Sequence, residues 1–163
     1  MSKEHHRKIE IRTGIVTVST TRTEAEDVSG ETIKALLVEA GLSPVFYSII
    51  PDQDDAIRRT LYEAINEANC IIINGGTGLT PDDRTIEAVR PLFDKEMDGF
   101  GEIFRQFSIR EVGTAVILSR ATAGLISGRA VFCIPGSTKA VRLAVAEIII
   151  PEIGHILSHA QKK

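Results

Sequence analysis

Apolar and polar positions alternate along the chain in two different periods. Ile9–Ser19 predicts the first strand, most clearly over Gly14–Ser19, and nearly continuous apolar runs cover Cys70–Ile73 and Arg129–Ile134. Runs of this length, bounded by turn residues, predict strands buried on both faces. Over Ser43–Ile50 the apolar residues occur at every second position, which predicts one more strand.

Between these runs, apolar residues recur three and four positions apart and predict helices. The helices are expected from Ser29 to Gly41, from Pro51 to Ala68, after Asp83, from Glu102 to Glu111, and from Thr138 onward with Pro151 interrupting or restarting the last one. Alternating strands and helices imply right-handed crossovers and a parallel sheet. We predict a three-layer α/β/α fold around a mostly parallel sheet, in one domain spanning residues 1–163.

Three segments fit this pattern less clearly. Residues 1–8 are polar and basic and are expected to form a frayed tail. Val112–Leu118 is compatible with a strand or with a packed irregular segment, and both remain open. Ser119–Gly124 consists mainly of small residues and is predicted to be a loop.

Composition and charge exclude several classes of function. The chain has 163 residues, 43% hydrophobic and 25% charged, as in ordinary globular proteins. Its net charge of −3, the absence of a basic stripe and the lack of tryptophan argue against a nucleic-acid partner. No signal peptide or membrane-spanning stretch is recognisable, so a cytoplasmic location without a membrane partner is expected.

The two cysteines each lie inside an apolar run. Cys70 begins one run and Cys133 lies within Val131–Ile134. Two buried thiols are therefore expected rather than a disulfide or a metal-binding pair.

The clearest chemical signal is the glycine-rich stretch that follows Cys70–Ile73. Gly75, Gly76 and Gly78 allow a tight turn, and their amide groups could face an anion. No Gly-Lys-Ser/Thr follows, so the stretch is not a Walker loop, and it also lacks the third glycine of the dinucleotide fingerprint. Asp83 ends the stretch, as a ligand residue or merely as a helix N-cap.

Four strand ends carry polar or glycine-rich sequences of the same kind. They are Ser19-Thr20, Pro51-Asp52, Gly75–Asp83 and Pro135-Gly136-Ser137. In an open parallel sheet these ends share one rim, where ligands bind. Carboxylates beside anion-binding helix starts are typical of Mg²⁺ and a phosphorylated ligand, which favours Asp52 and Asp83 for the metal and Arg120 for charge neutralisation.

Structural alternatives remain open for several of these residues. Asp52 and Ser137 could be N-caps, Arg120 and Glu87 could be solvated surface residues, and Asp82 an exposed charge at a helix start. All four histidines lie in terminal segments, which disfavours a histidine base. Transfer to a phosphate nucleophile needs none. His155 and His159, four residues apart, are expected on a helix surface, with metal binding as the less favoured alternative.

Six segments in register resemble one known family. They are Thr17-Val18-Ser19, Asp27-Val28-Ser29-Gly30, Pro51-Asp52, Gly75-Gly76-Thr77-Gly78 with Asp83, Ser119-Arg120-Ala121 and Pro135-Gly136-Ser137. Together they resemble the molybdenum cofactor biosynthesis protein B and molybdopterin adenylyltransferase family, which includes the N-terminal domain of gephyrin. The resemblance extends from about Ile11 to His159.

The resemblance implies both an activity and an assembly. The activity is Mg²⁺-dependent adenylylation of molybdopterin by ATP, with release of pyrophosphate. The assembly is a homo-oligomer, either a trimer or a hexamer. Other proteins of molybdenum cofactor biosynthesis are possible binding partners. We expect Phe100, Phe104 and Phe107 to form an apolar surface buried between subunits.

The resemblance also assigns roles to individual residues. Asp52 and Asp83 match the two essential carboxylates, as catalytic and Mg²⁺-binding residues. Nucleotide or pterin contacts are implied for Ser19, Ser29, Gly30, Gly75, Gly76, Thr77, Gly78, Ser119, Arg120, Pro135, Gly136 and Ser137.

One departure from the family pattern lies beside the second carboxylate. The family usually has a basic residue before this carboxylate and a valine after it, whereas this chain has Asp82 and Arg84. Turnover is therefore in question. The alternatives to an adenylyltransferase are a molybdopterin-binding or scaffold protein without turnover and, less favoured, a nucleotide hydrolase of the same fold.

Overall fold

Six strands form a single, mostly parallel sheet in the computed structural model, which describes residues 8–162. The strands are β1 Thr13–Val18, β2 Phe46–Ile50, β3 Cys70–Asn74, β4 Lys95–Glu96, β5 Thr122–Ile126 and β6 Arg129–Ile134. Their order is β2-β1-β3-β6-β5-β4; the first four are parallel, whereas β5 and β4 pair antiparallel. The predicted mostly parallel α/β fold is confirmed. The predicted tail at residues 1–8 lies outside the described residues, apart from Lys8.

Helices cover both faces of the sheet. They are α1 Val28–Glu39, α2 Asp54–Glu67, α3 Thr85–Val89, α4 Asp98–Val112, α5 Thr138–Arg142 and α6 Ile150–Ala160, with 3₁₀ turns at Glu24–Glu26, Arg90–Leu92 and Gly113–Leu118. No helix within residues 8–162 is long and apolar enough to cross a membrane.

The core consists of two apolar layers, one on each face of the sheet. Because successive strand residues point to opposite faces, Ile72 packs in the layer formed with α1, α4, α5 and α6, whereas Ile71 and Ile73 pack in the layer formed with α2 and α3. Cys70 and Cys133 are fully buried free thiols, as predicted. Burial raises the pKa of both thiols to about 12.

Two segments that lacked a clear pattern adopt other structures than expected. Ser119–Gly124 was predicted to be a loop, but from Thr122 onward it forms β5, which pairs with β6 across a turn at Ser127 and Gly128. Val112–Leu118 is not a strand; after Val112, the end of α4, it is a 3₁₀ turn with exposed apolar side chains.

The expectation of an intersubunit surface at Phe100 and Phe104 is wrong. Both side chains are buried within the chain's own core, where Phe100 makes an edge-on contact with Phe132 at a ring-centroid distance of 5.1 Å. Phe107 is only partly buried, against the same cluster.

The last helix runs from Thr138 to Ala160 and changes its winding in the middle. Leu143–Ile149 forms a π-helical stretch between α5 and α6, and Pro151 lies in the first turn of α6. Pro151 therefore restarts α-helical winding without ending the helix.

Candidate functional site

The glycine loop, defined here as residues 75–78, has a backbone that only glycine adopts easily. Gly75 and Gly76 have φ angles of 93° and 68°, in the left-handed region that disfavours side chains. A Cβ atom on Gly75 would also collide with the Val18 carbonyl oxygen. The apolar strand β3 therefore ends where the chain must pass very close to the end of β1.

Hydrogen bonds fix the ends of the loop and leave its middle unpaired. The Gly75 amide donates to the Ile134 carbonyl at 3.0 Å, and the Thr85 amide and hydroxyl donate to the Gly76 and Gly75 carbonyls. The amides of Gly76, Thr77 and Gly78 donate to no acceptor in residues 8–162. Unpaired consecutive amides of this kind suit an anion.

Arg120 supports the loop from behind. Its guanidinium donates to the Gly78 carbonyl at 2.6 and 2.9 Å and forms an ion pair with Glu87. The hydrogen bond from Arg120 lowers the pKa of Glu87. Neither residue is a solvated surface charge, so that alternative is wrong for both. Most of the Arg120 donors are already used within the chain, and Arg120 does not line the cavities described next.

A polar cavity of about 580 Å³ opens at the carboxyl ends of β1 and β3, beside Gly75 and Gly76 of the loop. It brings together several of the predicted site residues, namely Ser19, Asp52, Gly75, Gly76, Asp83 and Gly136. Arg22 and Asp82 also line it. Arg22 was not among the predicted site residues. The signal that could have found it was its position three residues after Ser19, on the same predicted rim.

Asp52 and Asp83 each leave one carboxylate oxygen without a partner. Asp52 Oδ2 accepts from the Thr20 hydroxyl at 3.0 Å, and Asp83 Oδ2 accepts from the Thr80 amide and hydroxyl. Neither Oδ1 accepts a hydrogen bond from the described chain. Neither residue is a helix N-cap, because Gln53 precedes α2 and Arg84 precedes α3.

These two carboxylates fit a magnesium ion better than a metal held by protein alone. No three histidine, cysteine, aspartate or glutamate side chains in residues 8–162 cluster as a metal site. Mg²⁺ is usually bound by one or two carboxylates together with water and substrate phosphates. The free oxygens of Asp52 and Asp83, in a cavity beside unpaired amides, match that donor set.

Two further cavities lie nearby, and one of them contacts the loop. One, of about 330 Å³, is lined by Gly76–Gly78, Asp83, Ser119, Pro135 and Gly136, together with Ala115 and Leu118. Next to it lies a more apolar cavity of about 420 Å³, which includes Ser119, Pro135 and Ser137. Ser137 also accepts from the Ala140 amide at 3.3 Å and is the N-cap of α5, as the structural alternative proposed.

Ser29 and Gly30 lie behind the polar cavity and do not line it. The Gly30 amide, expected to face phosphate, donates to the carboxylate of Asp27, the N-cap of α1. The Ser29 hydroxyl contacts the Asn74 side chain at 2.7 Å and accepts from Arg22 at 3.0 Å. In this arrangement Asp27 occupies the anion position at the start of α1.

Asp27 is buried but stays ionised. Burial alone would raise the pKa of Asp27, but hydrogen bonds from Tyr47, Thr17, the Gly30 amide and Ser29 outweigh it and lower the pKa. The shortest of these bonds comes from the Tyr47 phenol at 2.6 Å, and the pKa of Tyr47 is raised by its own burial and by the carboxylate.

The structure explains the unusual residues beside Asp83. Arg84 forms two hydrogen bonds, of 2.9 and 3.0 Å, with the Asp54 carboxylate of α2. Arg84 is therefore a clamp between α2 and α3, and the hydrogen bond from Arg84 lowers the pKa of Asp54. The exposed Asp82 lines the polar cavity, so this chain presents a negative charge there.

Comparisons with known proteins place these features in a family context. A family model described as "Probable molybdopterin binding domain" matches residues 14–155. The chain is 48% identical, over 99% of both chains, to molybdenum cofactor biosynthesis protein B of Halalkalibacterium halodurans. It is 44% identical to a molybdopterin adenylyltransferase of Pyrococcus furiosus, covering 99% of this chain and 100% of that one. A crystal structure of a molybdenum cofactor biosynthesis protein B superposes with a TM-score of 0.91, at 43% identity, over 96% of this chain and 99% of that chain.

Proposed function

The chain belongs to the family described as "Probable molybdopterin binding domain", and from this premise we propose that it is a molybdopterin adenylyltransferase acting in molybdenum cofactor biosynthesis. In the proposed reaction, a phosphate oxygen of molybdopterin attacks the α-phosphorus of ATP. The bond from the α-phosphorus to its bridging oxygen breaks, and pyrophosphate leaves with that oxygen. The products are adenylyl-molybdopterin and pyrophosphate.

One observation supports this proposal most strongly. Two cavities meet at the unpaired amides of the loop: Gly76 lines both the polar cavity with Asp52 and the cavity with Ser119 and Pro135, whereas Thr77 and Gly78 line the second one. Two phosphorylated substrates in these adjoining cavities could thus approach the same loop. Bringing reacting groups together in this way is a major source of rate enhancement.

The residues of the polar cavity suit the nucleotide. Asp52 and Asp83 would hold Mg²⁺, which when bound neutralises and aligns the phosphate oxygens of ATP. Arg22 adds a positive charge to the same cavity, and the loop amides can donate to the α-phosphate as its charge develops. Within residues 8–162 no histidine lines any of these three cavities, which is consistent with a phosphate nucleophile that needs no base.

The cavity of about 330 Å³ and the more apolar cavity next to it suit the pterin. The walls beyond the loop combine the hydroxyl of Ser119 with Pro135, Ala115 and Leu118. A flat heteroaromatic ring with a polar rim matches a surface of this mixed character. Ser137 and Gly136, at the start of α5, would contact its phosphate side.

A second candidate function is molybdopterin binding without turnover. The observation that favours it is Asp82, because an added carboxylate in the polar cavity opposes the entry of a triphosphate. The nearby Arg84 forms an ion pair with Asp54 and therefore does not neutralise Asp82.

The deciding experiment is direct. Purified protein is incubated with ATP, Mg²⁺ and molybdopterin, and adenylyl-molybdopterin and pyrophosphate are measured in parallel. The proposal expects both products in equal amounts. Tight pterin binding with neither product would support the scaffold function, and ATP hydrolysis that does not need pterin would support a hydrolase.

We also propose that the chain forms a homo-oligomer, a trimer or a hexamer. The surface that could be shared between subunits is not the one around Phe100. Val112, Ile117 and Leu118, at the end of α4 and in the following 3₁₀ turn, are 52%, 80% and 54% exposed. Light scattering at micromolar concentration tests this proposal, and a monomer would refute it.

A further inference from the structure

A pair of histidines near the end of α6 has the geometry of a metal-binding site. His155 and His159 lie four residues apart, so they occupy the same helix face. Their Nε2 atoms are 3.1 Å apart, and both rings are exposed. The pair is independent of the glycine loop and of the function proposed for it.

The separation of the two nitrogens matches the bite of a chelated ion. At metal–nitrogen distances of about 2.0–2.1 Å, angles between 90° and 110° place two imidazole nitrogens about 2.8–3.4 Å apart. The observed 3.1 Å falls within this range. Without an ion the same separation suits a hydrogen bond between the rings, so an ion would replace that contact with little movement of the helix.

Glu152 contributes to the site from the preceding turn. Its Oε2 atom lies 3.4 Å from His155 Nδ1. A carboxylate at this ring nitrogen favours a proton on Nδ1 and leaves the Nε2 lone pair free for a metal. The sequence Glu152-x-x-His155-x-x-x-His159 therefore supplies two ligands and a carboxylate that orients one of them.

The location separates this pair from the proposed magnesium site. The carbonyl of Ala160, the last residue of α6, lies close to Gly128 in the turn between β5 and β6. The polar cavity instead adjoins Gly136, beyond the other end of β6. Six strand residues at about 3.3 Å each place these two ends roughly 20 Å apart.

We propose that His155 and His159 bind a divalent transition metal that prefers imidazole, namely Cu²⁺, Ni²⁺ or Zn²⁺. Water completes the coordination, because the described chain offers no third close ligand. Cu²⁺ binds most tightly by the general order of affinities, and Mg²⁺ does not compete because it prefers oxygen ligands. The bound ion bridges two successive turns and stabilises the end of α6.

The test is a titration of chelator-treated full-length protein with Cu²⁺, Ni²⁺ and Zn²⁺ in the presence of excess Mg²⁺. We expect one Cu²⁺ ion per chain at this site, with two nitrogen ligands in its electron paramagnetic resonance spectrum. His155→Gln and His159→Gln should each weaken binding more than about tenfold and leave one nitrogen. Glu152→Gln should weaken it about tenfold.

Two controls keep the result interpretable. His5 and His6 provide another pair of imidazoles, so a double His5→Gln, His6→Gln variant must retain the site. Circular dichroism checks that the exposed His155→Gln variant remains folded. Unchanged Cu²⁺ binding and an unchanged spectrum in His155→Gln, or loss of the site in the His5/His6 variant, would overturn the proposal.

Discussion

Asp27 and Asp83 both lie near the carboxyl ends of the parallel strands, yet their carboxylates have opposite surroundings. Asp27 is 1% exposed and accepts four hydrogen bonds, from Thr17, Ser29, Gly30 and Tyr47. Asp83 is partly exposed, and one of its oxygens accepts nothing from the described chain.

This difference separates an aspartate that stabilises the fold from one that can bind a ligand. A buried carboxylate is tolerated only when it is hydrogen-bonded. Because its four partners occupy both oxygens of Asp27, this carboxylate has no free oxygen with which to bind a substrate. A carboxylate with an unused oxygen in a cavity retains the capacity to coordinate a cation. Mutations should therefore affect stability at one position and turnover at the other.

The largest effect is expected for Asp83→Asn. The variant keeps an oxygen that can accept from Thr80, so the fold should be retained, but it loses the charge that would hold Mg²⁺. We expect adenylylation to fall on the order of 10³-fold with a melting temperature close to that of the wild type. The measurement is product formation at saturating ATP. Normal turnover would show that Asp83 only closes the turn at Thr80.

Removing magnesium tests the same feature without a mutation. Chelation should reduce adenylylation to a similar extent, and added Mg²⁺ should restore it, because the proposed site supplies only the carboxylates of Asp52 and Asp83 and relies on substrate phosphates for further ligands. Activity that survives chelation would contradict the metal role of Asp52 and Asp83.

Asp27→Ala should instead reduce stability. The substitution leaves the Tyr47 phenol, the Thr17 hydroxyl and the Gly30 amide without their common acceptor, and we expect a loss of about 3 kcal/mol in the free energy of unfolding. Asp82→Ala is the matched control, an exposed aspartate whose removal should leave stability unchanged. Equal stability of the two variants in urea unfolding would contradict the assignment.

The stability that Asp27 provides should also depend on pH. The folded state lowers the pKa of Asp27 below its usual value near 3.8, so the contribution is present above that value and is lost as pH falls through the folded pKa. The stability difference between wild type and Asp27→Asn should therefore be constant from pH 7 to pH 5 and shrink below about pH 4. Urea unfolding at several pH values measures it.

A smaller effect is expected for Arg22→Met. Arg22 lines the polar cavity but donates to Ser29 rather than to a carboxylate, which leaves its charge available to a phosphate. Losing one charge-assisted contact should raise the Michaelis constant for ATP about tenfold. Arg59→Met, which removes an exposed arginine of α2 away from the cavity, should leave it unchanged.

Arg84→Met should have the smallest effect. Arg84 pairs with Asp54 at the surface and does not line the polar cavity, so turnover should remain within about twofold of the wild type. A large loss of turnover would show that the departure from the family pattern acts on the chemistry.

The sequence predicted best the features that depend on neighbouring residues. The apolar run and glycines from Cys70 to Gly78 identified β3 and the loop, because burial on both faces and left-handed φ angles leave local signatures. β5 was missed because Ala123 and Gly124 are small residues that form strands weakly. The Ser127-Gly128 pair, with φ angles of 48° and 77°, was a hairpin signal that could have found it.

The features that could not be predicted depend on residues far apart in the chain. Asp27 meets Tyr47 across 20 positions, and Ser29 meets Asn74 across 45. The sequence favoured Arg120 for charge neutralisation, but its engagement with Glu87 and the Gly78 carbonyl follows only from the packing of α3 against the loop. The sequence thus indicated which residues gather at the rim and not which of them face the cavity.

The π-helical stretch in the last helix determines which way the side chains of α6 point. Five buried residues recur at every fourth position, at Val141, Val145, Ile149, Ile153 and Leu157. In a regular α-helix each step of four residues overshoots a full turn by about 40°, so this stripe would spiral off the core. The wider turns at Leu143–Ile149 absorb the excess. With the winding otherwise unchanged, deleting one residue there would rotate the helix end by about 100° and move Leu157 away from its buried position.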